Sequence, residues 1–546
     1  MTKRAVAILL TLVLTASLFS ACAKKDGSNA NLSFPIVLEP RSLDPQIADT
    51  SADILIANCF EGLVRMGEDG EILPGVAESW DVSADGLEYT FRLRNNAKWH
   101  LTDDFENILG KDFKHTFKNT VTAHDFVFGF RRVVMPQTAS PYAPSLFMIK
   151  NAQAVNNSTV AVEQLGIEAT DDFTLRIMLA AASVDFFNLL TSPACMPCSE
   201  AFFEATKGKY GLGDDYLLCN GPFYLSVWNE GSSLLLRKNG DYAGNSPVLP
   251  ASVTLRITAD PAQHAQKITQ GSFSAAPVTA KDAATLTAAS GVTLRESQNI
   301  IQAICYNCSD PLLSKPSVRL ALCKAIDKTG LGERLSGPSA TGSIIPPCCT
   351  VGQTPFKDLA NTAVPPGFDP AGAKNLWDSA LNEIGEEQLA LTVLCSPEFE
   401  VEMRGLLQIW QKTLGIGLSI SVEVVEPFEL QSRVTDGKYQ IALAPVPANK
   451  SSAAAFLQNF ESGSPGNILN YSSDVYDGIM GQIRTAGTLS ETVRLCESAQ
   501  NHLLLNGAVS PLFSQASYLA LAKGVSDIYT SPAGERVFFI GGKAAE

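Results

Sequence analysis

Twelve cysteines are the densest set of reactive side chains in this sequence. Cys195-Met-Pro-Cys198 and Cys305-Tyr-Asn-Cys308 have the C-x-x-C spacing of thiolate metal sites or dithiol redox sites, and Cys348-Cys349 is a vicinal pair. Four thiolates at tetrahedral reach would hold zinc, but a gap of about a hundred residues separates the two C-x-x-C pairs. With Cys22 set aside, eleven cysteines remain, an odd number, so complete pairing in an oxidising compartment leaves at least one free thiol. Three readings stay open: free or structural thiols packed as small hydrophobes, some disulfides, or a metal site. The first is the working expectation, with no metal. The five histidines are scattered, and neither a G-x-S-x-G elbow nor an H-E-x-x-H helix occurs. The chain is therefore expected to have no catalytic residues and no cofactor.

Cys22 has a different chemistry. Lys3 and Arg4 precede an uncharged apolar run from Ala5 to Phe19, and small residues Ser20 and Ala21 stand before the cysteine. At about 15 residues the run is short for a membrane span and fits a secretory signal peptide over residues 1–21. Leu18-Phe19-Ser20-Ala21-Cys22 resembles a bacterial lipobox, in which the cysteine sulfur receives diacylglycerol. Phe19 departs from the usual aliphatic residue. Two or three acyl chains give stable anchoring. Residues 22–33, with polar Lys24 to Asn31, read as a flexible tether. Localisation is expected to be extracytoplasmic, at the outer face of the cytoplasmic membrane or in the periplasm.

The remaining 500 or so residues must supply ordinary folded domains. A chain of 546 residues has room for two to four of them. Hydrophobic content of 45% with 18% charge is that of a globular protein. A net charge of −15 without a basic run argues against nucleic acid as a partner.

Periodicity places the elements. Leu87, Tyr89, Phe91 and Leu93 alternate with Glu88, Thr90 and Arg92, which predicts a half-buried strand after the Ala84-Asp85-Gly86 turn. Phe126, Val127, Phe130 and Val134 recur at helical spacing, ending at Pro136. Asn220 to Tyr242 reads as a hairpin turning at Asn229-Glu230-Gly231. Leu389–Cys395, Glu398–Leu414 and Leu418–Val425 form a β-α-β unit whose strands should be parallel, and Gly437–Leu443 follows as a strand. Residues 100–120 show no period and read as a surface insertion with solvated His100 and His115.

Several blocks carry a family resemblance: Leu38-Glu-Pro-Arg-Ser-Leu-Asp-Pro45, the run from Cys59-Phe-Glu-Gly-Leu63 to Trp99, Val121 to Ala143, Asn220-Gly-Pro-Phe223, and Asp310-Pro-Leu312 with Val318 to Asp327. Together, and in this order, they resemble the family 5 extracellular solute-binding proteins, the oligopeptide- and dipeptide-binding subunits of ABC importers. The resemblance spans Leu38 to the end.

It implies a mixed α/β, two-lobed periplasmic-binding-protein-like fold with an extra inserted domain and a hinge between lobes. Lobe 1 would comprise 34–62, 186–280 and 516–546, with a meander domain inserted at 63–185, and lobe 2 would comprise 281–515. The implied function is capture of peptides in the cleft for a membrane permease powered by ATPase subunits, by a monomer touching the membrane through its lipid only. A non-peptide solute such as a metal chelate or small sugar, or a sensor or chaperone role without transport, is the alternative. The implied ligand-binding residues are Glu39, Pro40 and Arg41, where a peptide backbone would pair, with Tyr142 and Tyr306 as aromatic lining. Pro445, Val446 and Asn449 stand where the family has a Gly-Trp pair and the Asp that holds the peptide ammonium. An amide cannot neutralise an ammonium. The reading favoured for Asn449 is a ligand without a free ammonium.

Overall fold

The computed structural model describes residues 29–258, 260–286, 291–327, 341–361, 363–448 and 450–545. Residues 1–21, expected to be a signal peptide, lie outside them, as do Cys22 and Asn449. The first described strand begins at Asn31, inside the segment read as tether. Strand Asn31–Ile36 pairs in parallel with Ser252–Ile257 and buries Leu32 and Phe34. Ser252–Ile257 continues antiparallel into the hairpin Phe223–Asn229 and Ser233–Lys238, completing a four-stranded sheet.

The alternating segment forms strand Glu88–Leu93, with Tyr89, Phe91 and Leu93 inward, as its period of two requires. It lies within an antiparallel four-stranded sheet with Ala77–Val82, Thr174–Met178 and Ile167–Asp171. Helix Ala123–Val134 starts at a capping box: the Asp125 carboxylate accepts the Thr122 N–H at 2.7 Å. Its Phe126 and Phe130 fill the core beneath.

Residues 100–120 differ from the surface insertion expected of them. They fold into short helices Glu106–Leu109 and Phe113–Thr116, pinned by buried Phe105 and Phe113. Phe105 meets Phe202 edge-on at 5.0 Å. Two isolated aromatic anchors in a polar segment leave no periodic signal. His100 is not simply solvated either: it bonds Asp241 at 3.0 Å and lies against Tyr224, whereas His115 is exposed.

The third sheet has six strands in the order Ala275–Val278, Val509–Leu521, Thr293–Tyr306, Ile441–Pro447, Leu389–Cys395, Leu418–Val424. Its far end is the β-α-β unit: Leu389–Cys395 and Leu418–Val424 run parallel, joined by helix Glu400–Leu414. Met403, Leu406, Leu407 and Trp410 pack on the sheet, and the Trp410 indole donates to the Leu322 carbonyl at 3.0 Å. The strand expected at Gly437 begins four residues later, at Ile441.

Two regions of buried apolar side chains result. One runs from Leu32 to Leu286 and takes in Leu519 to Ile540. The other, two adjoining clusters, is built almost wholly from residues 301–513. The long strands Thr293–Tyr306 and Val509–Leu521 cross from one to the other, paired antiparallel with a register shift between Ser297 and Ile300. At that irregularity buried Asn299 donates to the Ala533 carbonyl at 2.7 Å and accepts the Ser517 N–H at 3.2 Å.

The two C-x-x-C pairs stay apart. Cys195 and Cys198 lie in the first region and Cys305 in the second, so they do not assemble one four-thiolate site. All eleven cysteines among the described residues are free thiols. Burial pushes the Cys195, Cys198 and Cys305 thiols up to about 12, which keeps them protonated and unreactive at neutral pH.

Candidate binding cleft

A cavity of about 240 Å³ opens where the two regions face each other. On one side stand Thr50 and Asp53, the Tyr142–Met148 turn, and Val184 to Pro193 around helix Phe186–Leu190. On the other stand Lys450 to Gln458 around helix Ala453–Leu457, and Met480 to Arg484 at the end of helix Asp474–Ile483. Glu535 and Arg536 close one margin. Most of the lining is apolar, as in ligand sites generally. Met66, Met148, Leu189, Met480 and Ile483 supply much of it.

The walls are tied together. The Asp185 carboxylate accepts the Gly352 N–H and the Ser452 hydroxyl, each at 2.8 Å. Three residues on, the Asn188 side-chain amide donates to the Gly352 carbonyl at 2.8 Å. Both polar groups of the Gly352 backbone are thus held by one short helix of the opposite wall. Ser452 also caps its own helix by accepting from the Ala455 N–H at 3.3 Å. Burial raises the Asp185 carboxyl, and the Gly352 and Ser452 bonds pull against that rise.

Most other charges in the cleft are matched. Arg484 pairs with Glu461 at 2.9 Å. Arg536 lies 3.3 Å from Glu535 and donates to the Thr191 carbonyl at 2.6 Å. Two groups are not. Asp53 is only 9% exposed, its Oδ1 has no hydrogen-bond partner, and burial pushes its carboxyl up to about 7 against the pull of Arg536. The Lys450 ammonium forms no ion pair or hydrogen bond among the described residues. Lys450 is exposed at the cavity's edge, and desolvation lowers its pKa.

The residues named from sequence are distributed unevenly about this cavity. Tyr142 lines it, with its hydroxyl donating to the Ala48 carbonyl at 2.7 Å. Glu39 is occupied elsewhere: its carboxylate accepts from the Trp228 indole at 2.8 Å and the Gly231 N–H at 3.0 Å, bracing the hairpin. Pro40 is buried, Arg41 is exposed, and neither lines the cavity. Tyr306 is 0% exposed and packs in the second apolar region beside the β-α-β unit, away from the cavity. Pro445 and Val446 sit in strand Ile441–Pro447, opposite Gln302 and Ile301, and also do not line it. The missing N–H of Pro445 is tolerated because the ladder to Leu389–Cys395 covers only Ile441 and Ala442. Asn449 is outside the described residues, but its neighbours Lys450, Ser451 and Ser452 line the cavity. Asp53, Asp185, Asn188, Lys450 and Arg536 were not singled out from sequence. Proximity of Lys450 to Asn449 was the one available signal.

The sequence profile of the bacterial extracellular solute-binding proteins, family 5 Middle, matches residues 71–467. The chain is 25% identical over 528 residues to the dipeptide-binding protein of Lactococcus lactis, covering 93% of each. It is 28% identical over 507 residues to the periplasmic murein peptide-binding protein MppA of Escherichia coli, covering 87% of this chain and 86% of that one. The structure of the E. coli murein tripeptide-binding protein matches with a TM-score of 0.74 at 24% identity, over 95% of this chain and 99% of the other.

Proposed function

Because the chain belongs to the bacterial extracellular solute-binding proteins of family 5, we propose that its inter-wall cavity captures short peptides for delivery to a membrane importer. The observation that carries this reading is the cavity itself: an apolar space bridged by Asp185, Asn188, Gly352 and Ser452, in a chain similar along almost its whole length to proteins named for the peptides they bind. Family 5 proteins bind and do not catalyse.

At about 240 Å³ the cavity falls just below the ~300–1,000 Å³ usual for small-molecule sites. That size suits a di- or tripeptide better than a long chain. The apolar wall offers side chains loose, non-directional contact, and the cross-wall bonds would form only once the walls meet around the ligand.

We assign lobe 1 to 34–62, 186–280 and 516–546 with the meander at 63–185, and lobe 2 to 281–515. The two apolar regions and the two crossing strands support that division. Strands Thr293–Tyr306 and Val509–Leu521 then serve as the hinge, flexing at the register shift beside Asn299. Attachment through acylated Cys22, a monomeric state, and a permease with ATPase partners complete the proposal. No helix among the described residues is long and apolar enough to cross a membrane.

Thermal unfolding in the presence of tripeptide pools tests the central part. A ligand at 100 times its Kd adds about 2.7 kcal/mol. A rise in Tm with the peptide pools, absent with monosaccharide pools, is expected; a rise with the sugars alone would refute peptide capture.

A further inference from the structure

We propose that the vicinal pair Cys348-Cys349 is a redox modification site: a low-molecular-weight disulfide oxidises it to a bond between the two neighbours, and the change loosens the tie between the cleft walls. The effect on the cleft rests on the peptide reading above and adds its regulation; the thiol chemistry stands apart from that reading. The two side chains meet different surroundings. Cys348 is partly exposed and lines an open groove of about 330 Å³ with Glu68, Arg295, Lys357 and Ser531. Cys349 is 0% exposed, and its thiol points at the Lys450 carbonyl at 3.8 Å.

The pair stands between the two crossing strands and the tie. The Cys348 N–H donates to the Gln298 carbonyl at 3.2 Å, inside the register shift between Ser297 and Ile300. The Cys349 N–H donates to the Pro346 carbonyl at 3.0 Å, and the Cys349 carbonyl accepts the Phe356 N–H at 2.8 Å. The Thr350 N–H then donates to the Ser451 carbonyl at 2.7 Å. From there a short hairpin, Thr350–Val351 paired with Thr354–Pro355, carries Gly352 to Asp185 and Asn188. Neighbouring Cα atoms stand about 3.8 Å apart, whereas ordinary disulfides join Cα atoms roughly 4.4–6.8 Å apart. Closing a small ring across one peptide bond therefore turns the backbone at Cys348 and Cys349. The bonds that seat Thr350 and Gly352 cannot all survive that turn.

Exposure sets the order of the chemistry. The Cys348 thiolate attacks one sulfur of the small disulfide, forming a mixed disulfide and releasing one thiol. Cys349 then attacks the Cys348 sulfur and expels the second thiol. Two protein thiols are oxidised, one small disulfide is reduced to two thiols, and both protons end on the released thiols. The Cys348 thiol beside it, and after that burial, hold the Cys349 thiol well above its ordinary value. Capping the Cys348 sulfur removes the first of these causes, so the second thiol is freed to react once the first has reacted.

The test incubates the full protein with glutathione disulfide or with dithiothreitol. Peptide mapping by mass spectrometry locates each product, and hydrogen exchange and calorimetry with tripeptide pools follow. Cys348→Ser and Cys349→Ala are carried beside the wild type, each with its own melting curve. The expected products are a Cys348–Cys349 bond in the wild type, one glutathione retained on Cys348 in C349A, and none at these positions in C348S. The oxidised wild type should exchange faster over residues 350–356. It should also bind tripeptides about tenfold more weakly, the equivalent of one cross-wall hydrogen bond. Dithiothreitol should restore both, and C348S should show neither change. The oxidised and reduced wild type decide the outcome even where C349A, altered in the core, does not fold. Thiols at 348 and 349 that stay reduced, or a bond between them that leaves exchange and affinity unchanged, would overturn the proposal. Tripeptides that bind neither form would overturn peptide capture alone, and exchange over 350–356 would still decide the redox role.

Discussion

At Gly221 there is no room for a side chain. A Cβ there would stand 2.6 Å from the Cys59 carbonyl carbon and the Phe60 nitrogen, and the Gly221 N–H donates to the Cys59 carbonyl at 2.9 Å. One residue earlier, Asn220 exchanges two hydrogen bonds with the Glu61 backbone, at 3.1 and 2.8 Å. The Phe60-Glu-Gly and Asn220-Gly-Pro blocks thus hold each other, and Asp44 does the same for Arg132, buried against it with contacts at 3.0 and 2.5 Å. These motif residues were legible in the sequence as motifs, but their task is scaffolding, which one sequence cannot distinguish from ligand contact. Gly221→Ala should lower stability by about 1–3 kcal/mol, as overpacking does, read from urea unfolding. Unchanged stability would show that the two blocks can move apart freely. A second expectation concerns pH. Asp53 titrates near 7 in the fold against 3.8 ordinarily, beside Arg536, Glu535 and Asp49. The folded protein therefore holds a proton that the unfolded chain releases, and stability falls as pH rises from about 4 to about 7, then levels off. Asp53→Asn removes that loss, so its stability relative to wild type should climb over the same window, by up to about 4 kcal/mol. A pH-independent difference would place the Asp53 carboxyl in an ordinary environment.

Among the elements, the hairpins, the β-α-β unit and helix Ala123–Val134 follow from period and turn residues, and their observed bounds agree to within a few residues. The tie across the cleft does not follow, because Asp185, Gly352 and Ser452 are brought together only by tertiary folding. Strand period likewise says nothing of which strands leave one core and enter another. The short helix Phe186–Leu190 spans the gap through Asp185 and Asn188, each bonded to Gly352. Replacing Asp185 by Ala removes two bonds to a charged acceptor, worth about 1.5–3 kcal/mol each. Small-angle scattering of the peptide-saturated protein should then show a larger radius of gyration and calorimetry weaker peptide binding, with secondary structure unchanged. A variant as compact and as tight-binding as wild type would mean that these bonds do not hold the walls together. Asn299→Ala, at the register shift, should lower stability through loss of the bonds to Ala533 and Ser517, as thermal melting would show.

For the whole molecule, the proposed function uses the space between two apolar cores that share two long strands. The two-lobed fold was legible because ordered blocks spread over hundreds of residues carry it. The cleft's chemistry was much less so: of the ligand-contact residues named from sequence, Tyr142 lines the cavity, whereas Glu39 braces a hairpin and Tyr306 is sealed in the core. Alternation and helical spacing report which residues are buried, not which face a cavity closed by distant segments. The most direct measurement is native mass spectrometry of the protein as purified from its host, followed by denaturation and sequencing of whatever is released. Peptide capture predicts a mixture of two- and three-residue peptides; a single non-peptide compound held at full occupancy would contradict it.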